Sequence, residues 1–380
     1  MLSLLPTLLF AIQAIFLYFE RNLLIFNDFW VVAKIITFNL TAILIVYYFF
    51  PKRNLYIPQI SKINQKLSQE KTSIYIFIGY LILFLIQVLI RGNIPAITGI
   101  IANEVSYSKW PVSPFSGFMS ILYLLILGER ISVWIKIKNQ SENKINNLIL
   151  IFMIIISLLM LRRDLLGLLI FGYCIKLYSV AIGSLKQLIA KGTLKKIFIN
   201  SIGNVLFIFL FFIIMFAIIG LLRGQGTGIN RAYWKIISLY ISVPLANSLT
   251  LINSENSGYL SLFDFYIGGS SVGQSFLNAL GIEPGRIPSQ NYILPQFNVT
   301  SSLGYYYQVF GKELYVFAIA LYSGFLAVME IHWKKKEPIL FSLILLLACA
   351  SIFYHYFGTI TITLIFPIIL IIHKFTIRLL

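Results

Sequence analysis

The hydrophobic positions of this chain lie in long runs separated by short polar segments. A run of about twenty apolar residues is long enough to cross the hydrocarbon core of a bilayer as a helix. A transmembrane β-barrel would instead show alternating segments of about ten residues, which the chain lacks. We therefore predict an all-α fold: a polytopic integral membrane protein with about ten transmembrane helices. The predicted spans are 2–19, 29–50, 74–90, 117–135, 145–161, 165–184, 197–222, 313–332, 338–354 and 357–373.

One long segment interrupts this pattern between the seventh and eighth predicted spans. From Tyr233 to Pro244 its apolar positions recur at helical spacing, which predicts an amphipathic helix. Such a helix could lie on the outer leaflet or pack onto the bundle as a lid, and the pattern is compatible with both. We predict a single membrane domain over residues 1–380, in which residues 223–312 form one large external loop containing amphipathic helices.

The composition also indicates a membrane protein. Hydrophobic residues make up 59% of the chain and charged residues 11%, whereas a soluble domain carries roughly a quarter charged residues. A formal net charge of +17 would suggest nucleic acid binding in a soluble protein, but cytoplasmic loops of membrane proteins accumulate Lys and Arg. We therefore expect no nucleic acid partner. Cys174 and Cys349 both fall inside predicted spans, so the loop has no disulfide framework.

The basic residues are divided unevenly between the two sets of connecting loops. One set holds seventeen Lys and Arg residues, and the opposite set holds ten on many more positions. The positive-inside rule assigns the richer set to the cytoplasm, which predicts cytoplasmic termini and an external large loop. The richer set consists of 51–73, 136–144, 186–196, 334–336 and the tail after 373.

The two sides also differ in which basic residue they use. Fifteen of the seventeen predicted cytoplasmic cations are Lys, whereas seven of the ten external ones are Arg. Guanidinium offers a planar fork of donors that binds oxyanions bidentately, so this bias favours an external anion site. The alternative is that these arginines anchor helix ends at lipid headgroups. The candidate anion-binding residues are Arg91, Arg162, Arg163, Arg223, Arg231 and Arg286. Gly92 and Pro95, which follow Arg91, predict a sharp turn of the backbone there.

Three other residue classes are relevant to possible chemistry: carboxylates, histidines and aromatic residues. External carboxylates are candidates for a general base; they are Asp164, Glu255, Asp264 and Glu283. The three histidines, all after residue 331, include no pair at metal-ligand spacing, so we expect no metal and no cofactor. Aromatic residues crowd the end of the loop, where they could stack on sugars or form an interfacial belt. They are Tyr292, Phe297, Tyr305, Tyr306, Tyr307 and Phe310.

Two short blocks of the loop resemble one family. LYISVPLANSL at 239–249 is similar to the "YISGPLAAF" stretch of bacterial oligosaccharide repeat-unit polymerases, the Wzy group that serves O-antigens and capsules. FNVTSSLGYYYQVFG at 297–311 is similar to that family's "NVYTxLRPxYxDFG" block. The matching residues are Asn298, Thr300, Phe310 and Gly311. Leu303 stands where the family has Arg, Val309 stands where it has Asp, and the RX10G motif of some members is absent.

The resemblance implies metal-independent glycosyl transfer by a GT-C-like polymerase at the periplasmic face of the bacterial inner membrane. A growing glycan on undecaprenyl pyrophosphate would be the donor, and one repeat unit on a second undecaprenyl pyrophosphate would be the acceptor. The implied partners are these lipid-linked oligosaccharides and membrane lipid, with a chain-length regulator protein of the same pathway as a further candidate. The large loop 223–312 would be periplasmic.

The resemblance also suggests roles for the candidate residues. The six arginines, with Asn298 and Thr300, would bind the two pyrophosphates and stabilise the charge that builds as the leaving group departs. Asp164 or Glu255 would deprotonate the acceptor hydroxyl. Two alternatives stay open: an O-antigen ligase, which transfers the glycan to a lipid A core sugar, and a lipid-linked oligosaccharide flippase. Transporters commonly show internal repeats, and none is visible in this chain.

Overall fold

A computed structural model of the chain shows an all-helical protein over the residues that it describes. Those residues are 1–20, 29–50, 62–102, 115–136, 144–160, 162–191, 214, 233–253, 301–334 and 336–352, and they contain no β-strand. The helices are α1 (Leu5–Phe19), α2 (Trp30–Phe49), α3 (Lys62–Arg91), α4 (Pro95–Ala102), α5 (Phe115–Lys136), α6 (Lys144–Leu159), α7 (Arg163–Lys191), α8 (Tyr233–Asn253), α9 (Ser302–His332) and α10 (Pro338–Ala350). A short 3-10 helix, Leu2–Leu4, precedes α1.

Within this described part of the chain, six helices are long and apolar enough to cross a membrane. They cover Leu2–Phe19, Trp30–Phe49, Ile74–Arg91, Phe118–Ile135, Leu165–Ile182 and Ser302–His332. The prediction of an all-α membrane protein is therefore confirmed. Two shorter apolar helices, Asn147–Leu159 and Pro338–Ala350, occupy the fifth and ninth predicted spans. The spans predicted at 197–222 and 357–373 lie outside the described residues, apart from Ile214, so the count of ten stays a prediction.

The chain forms two compact units. Unit 1 consists of Met1–Ile57 and Ser238–Leu380, and therefore contains α1, α2, most of α8, α9 and α10. Unit 2 consists of Pro58–Ile237 and contains α3 to α7. In unit 2, α5 contacts both α3 and α7. Its buried face carries Met119, Tyr123 and Leu127, which are fully enclosed and make α5 the centre of that unit.

In unit 1, α2 and α9 pack against each other and run in the same direction. Gly324 of α9 faces Ala42 and Val46 of α2, and a methyl group built on it would meet them at 3.7 Å or more, an ordinary van der Waals distance, so alanine would also fit there. Further along both helices, the Tyr47 hydroxyl donates to Glu330 Oε2 at 2.6 Å. The rings of Phe50 and His332 then lie 6.1 Å apart. Contacting residue numbers rise together on the two helices, so the pair is parallel.

Glu330 joins three helix ends at one end of unit 1. Its Oε2 atom accepts hydrogen bonds from the Ser3 backbone N–H at 2.9 Å and from the Ser3 hydroxyl at 3.0 Å, besides the Tyr47 hydroxyl. Lys334 lies 3.8 Å from the carboxylate, and the Met1 ammonium group forms an ion pair with it. A buried carboxylate is tolerated when hydrogen bonds and opposite charge compensate its lost hydration. This cluster therefore fixes the start of α1 against the ends of α2 and α9.

Helix α8 lies in the hydrophobic core of unit 1. Every residue from Ser242 to Leu249 is buried, and Leu239 and Val243 share one core cluster with Leu17 of α1. A helix that is buried on all sides belongs to a core and not to a membrane surface. Within the 233–244 pattern the structure describes the side chains of 238, 239 and 241–244, and for these it favours packing against the bundle. The helix also continues through Pro244 to Asn253 instead of ending at the proline.

Helix α9 contains a break at Gly311, where φ is 72° and ψ is 178°. This backbone conformation is essentially restricted to glycine. The break separates a short helical segment, 302–310, from a longer segment, 312–332, which coincides with the eighth predicted span. Gly311 thus lets the chain change direction where the polar loop sequence meets the apolar span.

We expect Gly311→Ala to destabilise the protein by about 1–3 kcal/mol, because a Cβ atom is strained in this conformation. The measurement is thermal unfolding of the purified full chain in detergent. Gly167→Ala is the control, since Gly167 is inside α7 and no atom lies within 4 Å of the added methyl group. That change removes only a helix-weakening glycine and should be neutral or stabilising. Equal unfolding temperatures for Gly311→Ala and the wild type would contradict the argument.

Candidate functional site

The two sequence blocks that resemble the polymerase family contact each other in unit 1. The hydroxyl groups of Ser248 and Ser301 are 2.7 Å apart, and the Ser301 backbone N–H donates to the Pro244 carbonyl at 3.2 Å. Further along α8, Leu251 packs against Tyr305 and Val309. The block at 239–249 and the described part of the block at 297–311 therefore form one structural element, although the loop sequence separates them.

Polar contacts surround the proline inside α8. Pro244 has no N–H to offer the carbonyl four residues earlier, and its ring disturbs the preceding turn. Gln13 of α1 reaches this turn, and its Nε2 donates to the Ile241 carbonyl at 2.8 Å. The Ser248 hydroxyl donates to the Pro244 carbonyl at 2.9 Å. Gln13 therefore ties α1 to the turn that contains Pro244, and Ser248 makes the common bond of a helical serine to the carbonyl four residues earlier. The carbonyl that Pro244 leaves without its usual donor is that of Tyr240.

The first turn of α9 is held from two sides. The Ser302 backbone N–H donates to the Ser351 carbonyl at the end of α10, at 2.9 Å, while Ser301 is engaged by α8. Gln308 follows on the same segment; it is 2% exposed, and its Oε1 atom has no hydrogen bond among the described residues. A buried acceptor of this kind can take a hydroxyl hydrogen from a ligand or a water molecule.

The described aromatic residues at the end of the loop differ in their exposure. Tyr306 and Phe310 are partly exposed and stack with ring centroids 5.9 Å apart at 18°. Tyr307, by contrast, is buried and packs edge-on against Tyr315 at 5.4 Å, across the Gly311 break. Tyr306 and Phe310 pack against the core cluster that contains Tyr307 but keep part of their ring surface exposed, whereas Tyr307 is buried within it. Tyr292 and Phe297 lie outside the described residues.

A carboxylate lies at the beginning of α8. Glu20 follows the last residue of α1, and its Oε1 atom accepts a hydrogen bond from the Ser238 hydroxyl at 2.7 Å. Ser238 directly precedes the 239–249 block. Glu20 is not among the residues predicted from the sequence, where its only signal is its position directly after the first apolar run. The structure adds it to the candidate site.

In unit 2, Arg162 occupies a buried position at the start of α7. It is 7% exposed, and its Nη2 atom donates to the Ser120 hydroxyl of α5 at 2.9 Å. Its backbone N–H donates to the Ser157 carbonyl of α6 at 2.9 Å. Arg163 and Asp164 form the first turn of α7, and the structure does not describe their side chains. Arg162 therefore links α5, α6 and α7 at the short turn between the fifth and sixth predicted spans.

Arg91 is the last residue of α3 and is exposed. Gly92 follows with φ of 67°, and its N–H donates to the Val88 carbonyl at 2.8 Å. Helix α4 then begins at Pro95. The sharp turn that the Gly and Pro positions predict after Arg91 is present.

The remaining candidates lie outside the described residues, and their roles stay predictions. They are Arg223, Arg231, Glu255, Arg286, Asn298 and Thr300. Among the residues that are described, no group of three or more His, Cys, Asp and Glu side chains could hold a metal ion.

Charged residues inside α5 and α7 form a second feature that the sequence analysis missed. Glu129 and Arg130 are 6% and 5% exposed within the apolar helix α5. On α7, Lys176 Nζ lies 4.8 Å from the centroid of the Trp134 ring, a cation–π contact. Ionisable side chains within a membrane span are costly and mark functional positions. In the sequence these residues are visible as isolated charges inside two apolar runs.

No family model matches this chain, and no curated protein and no solved structure matches it either. Its resemblance to the repeat-unit polymerases consists of the two blocks at 239–249 and 297–311 and the membrane architecture. The contact between those two blocks is the geometric finding that bears on the resemblance.

Gln13→Leu removes the hydrogen bonds that its Nε2 atom donates to the Ile241 carbonyl at 2.8 Å and to the Ile352 carbonyl at 3.4 Å, and we expect it to lower stability by about 1 kcal/mol. Gln87→Leu is the matched control, because Gln87 is also 0% exposed but its Nε2 atom faces only the Met119 sulfur at 2.9 Å. Both glutamines have an Oε1 atom without a hydrogen bond among the described residues, so that contribution cancels. Thermal unfolding of the two variants in detergent gives the comparison. If Gln87→Leu were less stable than Gln13→Leu, the result would argue against the proposed role of Gln13.

Proposed function

We propose that this protein is a membrane glycosyltransferase that polymerises lipid-linked oligosaccharide repeat units into O-antigen or capsular polysaccharide. It transfers the growing glycan from its undecaprenyl pyrophosphate to the non-reducing end of a new lipid-linked unit. The observation that carries the proposal is the packing of 239–249 against 301–311, through Ser248, Ser301 and Pro244. Both blocks resemble the same family in sequence, and in the structure they are in contact with each other.

The proposed topology is ten spans in the bacterial inner membrane, with cytoplasmic termini and a periplasmic loop at 223–312. The parallel packing of α2 and α9 supports it. Two parallel spans require an odd number of crossings between them, and the sequence predicts five there. Those five are 74–90, 117–135, 145–161, 165–184 and 197–222. In this topology Glu330 is on the cytoplasmic side and Glu20 is on the periplasmic side.

Charge stabilisation is assigned to the external arginines. Breaking the bond between the glycan and its lipid pyrophosphate builds negative charge on the leaving group, and preorganised guanidinium groups stabilise that charge without a metal. The burial of Arg162 against Ser120 supports this role, because an interaction with a charge is stronger where water is excluded. Arg91, Arg163, Arg223, Arg231 and Arg286 complete the proposed set.

Sugar binding is assigned to the start of α9. The partly exposed faces of Tyr306 and Phe310 lie within the block that resembles the polymerases and can stack against the apolar faces of sugar rings. These groups would hold the repeat units beside the membrane surface.

Deletion of the gene should leave surface polysaccharide capped with single repeat units, and a plasmid copy should restore the ladder. Gel electrophoresis of the surface polysaccharide gives the readout. Loss of a polymerase leaves single repeats because ligation and flipping continue. Loss of a ligase or a flippase removes all repeats, so that pattern would overturn the proposal in favour of one of these alternatives.

Arginine-to-lysine changes test the pyrophosphate assignment. Lysine keeps the charge but loses the bidentate fork, and losing one oxyanion donor costs about 10²- to 10³-fold in rate. We expect shortened ladders from single variants of Arg91, Arg162, Arg163, Arg223, Arg231 and Arg286. Arg53→Lys and Arg378→Lys, on the predicted cytoplasmic side, are the controls and should give wild-type ladders. Wild-type ladders from all six external variants would contradict the assignment.

A further inference from the structure

Glu20 is held in a defined position at one end of unit 1. Its backbone N–H donates to the Phe16 carbonyl at 3.1 Å, which ends α1. Its Oε1 atom accepts the Ser238 hydroxyl at 2.7 Å, which ties the carboxylate to α8. The side chain is partly exposed. One oxygen of the Glu20 carboxylate is thus held by Ser238, and the side chain lies at the boundary between the core and the exterior.

The end of unit 1 that carries Glu20 is opposite to the end that carries Glu330. Tyr18, near the end of α1, contacts Phe29 at the start of α2 with ring centroids 5.5 Å apart. The other end of α2 meets Glu330 through Tyr47. Because α9 runs parallel to α2, its Gly311 break lies towards the Glu20 end. In the proposed topology this is the periplasmic end, where the acceptor sugar would be bound.

We propose that Glu20 is the general base that deprotonates the acceptor hydroxyl, and that Ser238 is the residue that positions it. This inference rests on the proposed polymerase function and replaces Asp164 and Glu255 in that role. Ser238 directly precedes the 239–249 block, so the carboxylate is attached to the element that carries the family resemblance. A general base must lie within hydrogen-bond reach of the proton that it takes, and the Ser238 hydrogen bond holds the Glu20 carboxylate in one place at the edge of the proposed acceptor site.

The proton and electron balance of the step is complete with the groups named. The acceptor O–H proton passes to the Glu20 carboxylate as the acceptor oxygen bonds to the anomeric carbon of the donor glycan. The bond from that carbon to the pyrophosphate oxygen breaks, and undecaprenyl pyrophosphate leaves with the electron pair. Glu20 then returns its proton to the released pyrophosphate or to water.

Glu20→Gln separates proton transfer from structure, because the amide oxygen can still accept the Ser238 hydrogen bond but cannot take up the proton. We expect kcat to fall about 10²- to 10⁴-fold, with the KM for the acceptor unchanged within about threefold. Glu20→Asp retains a carboxylate and should keep more activity than Glu20→Gln. Ser238→Ala should lower kcat less than Glu20→Gln does, and Ser238→Thr should restore it. Glu313→Gln is the control, since Glu313 is an exposed carboxylate just after Gly311.

The assay uses the purified full chain in liposomes with lipid-linked repeat units extracted from the deletion strain, and it measures ladder formation over time. If wild-type protein forms the ladder and Glu20→Gln forms it equally fast, Glu20 is not the base and the polymerase proposal stands. If Glu20→Gln and Glu20→Asp unfold at lower temperature and lose activity equally, the role of Glu20 is structural. If wild-type protein forms no ladder, the polymerase proposal fails and this inference fails with it.

Discussion

Unit 1 depends on satisfying the backbone of a proline-containing helix that is buried among apolar helices. Water cannot reach the carbonyl groups around Pro244, and each unpaired group in an apolar interior costs several kcal/mol. Gln13 of α1 donates to the Ile241 carbonyl in the turn before the proline, and the Pro244 carbonyl accepts the Ser248 hydroxyl of α8 and the Ser301 backbone N–H. The same contacts join α8 to the helices that surround it in the core.

Fixing α8 in the core gives the flanking segments a rigid support. Ser238 precedes the buried stretch and orients Glu20, while Ser301 follows the loop and leads into the segment with Tyr306 and Phe310. Functional groups need neighbours that restrict their geometry, and secondary structure provides this better than free loops. The proposed acceptor base and sugar platform are thereby attached to one element, whereas charge stabilisation is assigned to arginines of several turns.

Unit 2 shows how charge is accommodated among apolar helices. The Arg162 guanidinium donates to Ser120, and the Lys176 ammonium group lies over the Trp134 ring. Hydrogen bonds and aromatic faces partly replace the hydration that these cations lose. A cation kept in such surroundings acts more strongly on a nearby anion than one in water does. This property suits arginines that are proposed to stabilise a pyrophosphate without a metal.

The sequence alone determined the all-α membrane class, because a run of apolar residues is a local property whose length decides whether it spans a bilayer. It also located the turn after Arg91 and the two related blocks. Tertiary structure decided that α8 is core, that Gln13 donates to the turn before its proline, and that Ser238 holds Glu20. Gln13 and Ile241 are 228 residues apart, and Glu20 and Ser238 are 218 apart. No local pattern encodes such pairings, since they arise only when helices distant in sequence pack around a shared core.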